Sequence, residues 1–423
     1  MRYPIKAVAM FAACFVAAGA VPAQEKPAQE KPATPDKAAA PYKAAGPEKK
    51  EEEPFWAKGR PKEGAGAQMA PIAAPPIPVA PDKLPKLKAP NGFKVDVYQS
   101  GILDARSMRR GAKGTLFVSS LFVAGKVYAI TEKGGKRQVK TVLEKLELPT
   151  GIELYKGALY VATPKQILRY DNIEDNLDKP PPPKVIYDKL PGDTPHGWKY
   201  LRFGPDQRLY VPIGAPCNIC DAGERYMHIF SIKPDGSDMQ VMARGVRHTV
   251  GFDFHPKTKQ LWFTDNQRDW LSEDFPEDEL NRVVFPGKDH FGYPHCHSGS
   301  MADPELGWGK SCADYAKPAA SLGPHAAPLG MQFYTGNMFP QNYRGAIFIA
   351  RHGPWNRTKK DADVAVAFLD ATSRVTRVVP FLTGFVKDNQ YLGRPVDVLT
   401  MPDGSLLVSD DHAGAIYRVS YAK

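Results

Sequence analysis

Cysteine is scarce in this chain, and so are long apolar runs. Only five cysteines occur in 423 residues. One of them, Cys14, sits in the leading apolar stretch, which leaves Cys217, Cys220, Cys296 and Cys312 for the body. Cys217 and Cys220 have the C-x-x-C spacing, but Asp221 stands where a c-type haem needs histidine, so that cofactor is excluded. A four-cysteine zinc site and two disulfides both stay open. Of the three possible pairings, Cys217–Cys220 with Cys296–Cys312 is favoured, the second stapling a long insertion that also bears His295 and His297. No helical heptad, dinucleotide-binding glycine pattern or aromatic-plus-arginine RNA motif is present. Net charge is +10, spread thinly enough that nucleic acid is not demanded as a partner.

The only long apolar run is residues 7–21, preceded by Arg2 and Lys6. It is too short for a stable membrane span and reads as a secretion signal, with cleavage expected after Ala23. "FAAC" at Cys14 is a poor lipoprotein box, because apolar residues continue past it. The expected location is therefore periplasmic or secreted. Residues 24–90 hold 14 of the 41 prolines, with alanine, lysine and glutamate between them. Such a stretch buries too little apolar surface to offset its ordering entropy, and reads as a disordered tether.

From residue 91 onward a short apolar strand recurs after a turn: "GTLFVSS", "GALYVAT", "QRLYVPIG", "KQLWFTDN", "GAIFIAR" and "GSLLVSD". Each is followed by a second strand ("KVYAI", "QILRY", "HIFSI", "ELNRVV", "VAVAFL", "AIYRVS"), and most are preceded by one. The copies begin 43, 50, 52, 86 and 59 residues apart, the period of four-stranded propeller blades. The 86-residue gap marks an insertion at about 266–340. "GFKVDVY" at 92–98 is left over, and can complete the last blade beside "AIYRVSY". The expected fold is all-β: a six-bladed β-propeller over residues 91–423, with four-stranded antiparallel blades and the N-terminal strand closing the ring.

In a propeller, the loops leading into the innermost strands surround one mouth of the channel. Here they carry Arg106, Thr150, His196, Arg247 with His248, His325, and Arg394 with Asp397. Two arginines and a histidine converging there suit an anionic, carboxylate-bearing ligand. Arginine and aspartate at such positions also form ion pairs between blades, which is the competing reading. Asp274, Glu277, Asp278 and Glu279 read as a solvated acidic loop rather than a calcium cage.

These segments carry a resemblance. "HGWKYLRFGPDQRLYVPIG", "ARGVRHTVGFDFHP", "DELN" before "HFGYP", "ARHGPWNR" and "GRPVDVLTMPDG", in this order, resemble the soluble quinoprotein sugar dehydrogenases, the glucose/sorbosone dehydrogenase group, with the sorbosone branch nearer. The resemblance implies pyrroloquinoline quinone and Ca²⁺ as cofactors, a sugar or sugar aldehyde as substrate, and a periplasmic cytochrome or quinone as electron acceptor. It implies His196 as the general base. Arg247, His248, Arg351, Arg394 and Asp397 stand at cofactor positions, although His248 replaces an asparagine, and Pro395 and Val396 replace part of the last-blade pattern. Trp355 is an aromatic wall for sugar or quinone, or equally a packed structural residue. The backbone carbonyls of Gln267 and Arg268 would hold the calcium. A metal-dependent propeller lactonase and a non-catalytic glycan- or peptide-binding propeller are the alternatives, fold alone fixing neither.

Overall fold

The computed structural model describes residues 78–121 and 124–422. The expected signal and residues 24–77 of the expected tether lie outside them. Six four-stranded antiparallel sheets follow one another along the chain. Their innermost strands are Met108–Arg110, Gly151–Tyr155, Arg202–Phe203, Phe252–Phe254, Pro328–Phe333 and Pro395–Thr400, numbered here as blades one to six. The outer strand of blade six is Phe93–Ser100, which pairs antiparallel with the C-terminal strand Ala415–Tyr421. The protein is a six-bladed β-propeller closed by its N-terminal strand, as the repeat predicted. No helix among the described residues is long and apolar enough to cross a membrane.

The described residues include a stretch before the expected start at residue 91 that is held on the propeller. Val79 N–H donates to Ala413 O, and Lys88 pairs with Thr383. The last residues of the proline-rich stretch are therefore laid on blades five and six. The extra length in blade four lies mainly between its third strand, Glu277–Arg282, and its fourth, Ala320–Pro324. A small hairpin there, Cys296–His297 with Met301–Ala302, is held by the Cys296–Cys312 disulfide. Cys217 and Cys220 form the other disulfide, so the favoured pairing is the one present.

Alternating apolar residues pack each blade against the next. Trp262, Met331, Phe333 and Ile347 fill the seam between blades four and five. Tyr334, Phe339, Phe348 and Phe381 build a larger aromatic cluster towards the ring closure. The innermost strands come close enough to leave no room for side chains at some positions. A Cβ on Gly330 would stand 2.3 Å from Asp397 Oδ1.

Below the mouth, charged side chains close the channel. Arg109 bonds Glu153 of blade two at 3.0 Å, Asp397 of blade six at 3.3 Å and the Leu201 carbonyl of blade three at 2.9 Å. Arg202 pairs with Asp253 at 3.0 Å, and Asp253 accepts from Phe333 N–H of blade five. Because each partner comes from a different blade, this network ties the ring together. Asp397 is thereby accounted for: it is fully buried, accepts from Met108 N–H and Val398 N–H as well, and belongs to the channel plug. The sequence placed it at the cofactor; the structure spends its oxygens on the scaffold.

Candidate active site

His196 begins the approach to blade three. The tight turn Thr194–Gly197, closed by Gly197 N–H donating to Thr194 O, puts it in the left-handed region with φ 49°. Histidine adopts that conformation at some cost, so the surroundings must hold it. Three contacts do so. Its Nδ1 lies 2.8 Å from the Ala215 carbonyl. Its ring stacks on His248 with centroids 4.4 Å apart and planes at 27°. Trp198 meets both rings edge-on. Gly214 makes the stacking possible, because a Cβ there would stand 2.8 Å from His196 Cβ and 3.1 Å from His248 Nδ1.

The bond to Ala215 decides the tautomer. A carbonyl oxygen can only accept, so Nδ1 carries the proton and Nε2 carries the lone pair. Burial, then the charge of Arg247 and that of Lys199, hold His196 well below the usual histidine value, against the pull of the Ala215 carbonyl. His196 is thus a neutral imidazole with a fixed donor on one side and a fixed base on the other. His248 is held down too, by burial first and then by His196 and Arg247. Its Nε2 is buried without a partner among the described residues.

Arg247 is fully buried beside this pair. Its guanidinium donates to Asn218 O, Asn218 Oδ1, Asn266 O and Asp269 Oδ2 at 2.9 to 3.1 Å. Asn218 lies between the two cysteines of the Cys217–Cys220 disulfide, so that short loop is what positions the arginine. With its bonds spent on the protein, Arg247 acts on the site through its charge.

Arg394 differs. It is half-buried, donates to the carbonyls of His352 and Gly353 at 3.0 and 2.6 Å, and lies over the Tyr391 ring. No carboxylate is in salt-bridge contact with it among the described residues, and burial lowers its pKa. Lys199 is the second such cation, and the sequence reading passed over it. It is buried, donates to Gly197 O at 2.6 Å, and is pushed down by burial to about 7. Its signal was the "HGWK" spacing, three residues beyond the histidine, inside a segment read only for His196.

Another cluster flanks Arg394. Asp411 accepts from Arg106 at 2.8 Å and lies 2.9 Å from His352 Nε2. Burial would raise this carboxyl, but His352, Arg106 and Arg394 more than offset that and hold it well below the usual carboxylate range. A depressed carboxylate stabilises the fold above its unfolded pKa of about 3.9, and that stabilisation is lost as pH falls through the lower folded value. Asp411→Asn is therefore expected to cost about 3–5 kcal/mol at neutral pH, the effect of leaving a buried cation unpaired. Thermal unfolding should show the gap between variant and native chain narrowing in acid. An unchanged melting temperature at neutral pH would mean Arg106 needs no counter-charge.

Several expected residues are elsewhere. Arg351 makes a two-pronged pair with Asp363 on the neighbouring strand, at 2.7 and 2.5 Å, and donates to Leu322 O. It serves blade five and is not free to face a ligand. Trp355 meets Trp270 edge-on at 5.1 Å. Gln267 and Arg268 are buried, with side chains bonded into the insertion: Gln267 Oε1 to His297, and Arg268 to Asp303 and Glu305. The acidic run is not a solvated loop. Asp278 and Glu279 are buried on a strand, and Asp278 accepts from Gln267 N–H and Ala327 N–H. Burial pushes both carboxyls up to about 8. Period-2 alternation hid them, since the strand was read only from its apolar residues. Only Asp274 of the four is exposed, paired with Arg357.

The family described as Glucose / Sorbosone dehydrogenase matches residues 165–418, a span holding blades three to five whole and His196 with them. This chain belongs to the glucose/sorbosone dehydrogenase family. It is a sugar-dehydrogenase-type propeller. An uncharacterised protein of Borreliella burgdorferi is 33% identical over 356 residues, covering 80% of this chain and 91% of its own. Among solved structures, a calcium structure of a Trichoderma reesei carbohydrate-active enzyme of family AA12 is similar with a TM-score of 0.70 and 19% identity, covering 80% of this chain and 98% of its own. The holo form of the pyranose dehydrogenase PQQ domain of Coprinopsis cinerea gives 0.67 and 19%, covering 79% and 97%. The apo soluble aldose sugar dehydrogenase of Escherichia coli gives 0.61 and 17%, covering 78% and 100%. At such identities these structures speak for the six-bladed propeller fold alone.

Proposed function

We propose that this member of the family is an exported quinoprotein dehydrogenase that oxidises an aldose or a sorbosone-like sugar aldehyde, with His196 as general base. The observation that carries the reading is the tautomer of His196: Nδ1–H held by the Ala215 carbonyl, Nε2 left as acceptor. The anomeric hydroxyl of an aldose, or a hydroxyl of the hydrated sugar aldehyde, placed at Nε2 gives up its proton there. The carbonyl bond strengthens as the ring turns cationic, while nearby Arg247 and Lys199 keep the imidazolium short-lived. Pyrroloquinoline quinone, when bound, supplies an electrophilic carbon that takes the hydride.

The residues present fit a ligand with several carboxylates. The side chains of half-buried Arg394 and buried Lys199 are bonded only to backbone carbonyls, and His248 has an unfilled Nε2. These three would hold it, with Arg247 adding charge. For Ca²⁺, the Gln267 and Arg268 carbonyls offer two hard oxygen ligands, and other oxygens must complete the shell. Both disulfides suit an oxidising compartment, and residues 1–23 would direct export there, with electrons passing to a periplasmic cytochrome or quinone. The test is to add pyrroloquinoline quinone, with and without Ca²⁺, to purified apoprotein and follow binding by absorbance. Stoichiometric uptake strengthened by Ca²⁺, with dye reduction on adding aldoses or sorbosone, is expected. No uptake would remove the quinoprotein reading.

A further inference from the structure

One short segment supports both His196 and Arg247. Residues 214–227, between the second and third strands of blade three, contain no strand or helix. Within them Ala215 O fixes the tautomer of His196, and Ala215 N–H donates to Arg247 O at 2.8 Å. Three residues on, Asn218 is fully buried. Its backbone and side-chain oxygens accept from the Arg247 guanidinium, each at 2.9 Å. Its amide also grips the backbone of Asp269, donating to Asp269 O at 2.9 Å and accepting from Asp269 N–H at 2.7 Å. Asp269 in turn pairs with Arg247 at 3.1 Å. The base and the buried cation therefore hang on the same few residues.

The Cys217–Cys220 disulfide braces that segment on either side of Asn218. Apolar packing there is slight: Ala215 and Ile219 form a small buried cluster with Met227 and Tyr293. The Tyr293 hydroxyl adds a bond to Asn218 O at 3.0 Å and accepts from Cys220 N–H at 3.3 Å. A covalent loop restricts what an irregular segment can do when such local contacts open. Cys217 and Cys220 are both half-buried, whereas Cys296 of the other disulfide is 2% exposed. A dithiol in solution can therefore reach the first bond. One of its thiolates attacks a cysteine sulfur and displaces the other, and its second thiol then closes on the mixed disulfide. Two electrons and two protons pass to Cys217 and Cys220, which become thiols, and the dithiol leaves as a cyclic disulfide.

We propose that the Cys217–Cys220 bond is a redox latch on the site. Closed, it holds Ala215 and Asn218 as positioning residues for His196 and Arg247; opened by a dithiol, it releases both. The consequence for turnover rests on the dehydrogenase reading, but the test needs neither quinone nor sugar. Apoprotein carrying isotope-labelled histidine is followed by nitrogen NMR at about pH 8, where an ordinary imidazole is neutral, before and after dithiothreitol. The His196 ring signals are those missing from His196→Asn. Mass mapping of an alkylated aliquot shows which disulfide has opened, and circular dichroism checks that the propeller stays folded. The closed form should give one protonated and one bare ring nitrogen. On reduction of Cys217–Cys220 the two signals should converge as the tautomers mix, and reoxidation should restore them. The double variant Cys217→Ser with Cys220→Ser, its other disulfide intact, should show the converged pattern without reductant. Native His196 signals in that variant or in the reduced chain would overturn the latch. So would a bond that resists dithiothreitol in the folded protein, or loss of the whole propeller on reduction. Quinone uptake is measured separately, so a failed dehydrogenase reading leaves the tautomer result standing, and the reverse holds too.

Discussion

His196→Asn is expected to lower kcat/KM for sugar oxidation by roughly a hundred- to ten-thousand-fold, the range a positioned general base contributes. Asparagine is chosen because it tolerates the left-handed backbone at φ 49° better than alanine, so the change isolates the imidazole. Nδ1 is committed to Ala215 and Nε2 is the sole basic atom of the ring. The native enzyme also has a distinctive pH expectation. Since His196 titrates well below the ordinary value of about 6.5, its base form persists in mild acid. The acid limb of kcat/KM should therefore lie below that value rather than at it. Exogenous imidazole should restore part of the lost rate. Quinone uptake by the variant with near-native turnover would transfer the base to another group, with Lys199 the first to test.

The second large effect is on stability. Phe93→Ala should lower the unfolding free energy by about 3 kcal/mol, the lower end for removing a packed aromatic ring, and the melting temperature by several degrees. Phe93 is the first residue of the strand that completes blade six, and its ring meets Phe339, Tyr343, Phe381 and Tyr421 at 4.8 to 5.3 Å. It thus clamps the closing strand onto both blade five and the C-terminal strand. Losing it frees Phe93–Ser100 to fray and exposes the edge of Ala415–Tyr421, an invitation to intermolecular pairing. Aggregation on heating should rise along with the loss of stability. Val97→Ala, at a position 48% exposed on the same strand, is the control and should change little. Equal effects at both positions would mean that closure depends on the strand backbone and not on the aromatic clamp.

The propeller was legible because it is periodic. Six similar strand pairs need only local alternation and turn residues to be recognised, and "GFKVDVY" was conspicuous as a strand without a partner. His196 stood out for the opposite reason, being a polar residue that the repeat does not need. Arg351 misled, because a strand arginine next to the mouth looks the same in sequence whether it faces the channel or its neighbour Asp363. Asp397 misled likewise: its partner Arg109 is 288 residues away, and nothing local marks the pair. Lys199 and the buried acids Asp278 and Glu279 were hidden because burial of a charge is a property of what packs over it.

By itself, the sequence determined the elements and their order: alternation sets which face of each strand is buried, and turn chemistry sets where it reverses. The closed ring followed from the count of repeats and the unpaired first strand. Only the tertiary structure decided which charges became scaffold and which stayed available. Arg109, Asp397 and Arg351 are neutralised by partners from other strands, whereas the side chains of half-buried Arg394 and buried Lys199 bond backbone carbonyls alone. The physical reason is that a buried charge must find its compensation within a few ångströms in space, and in a propeller those few ångströms join residues from opposite ends of the chain.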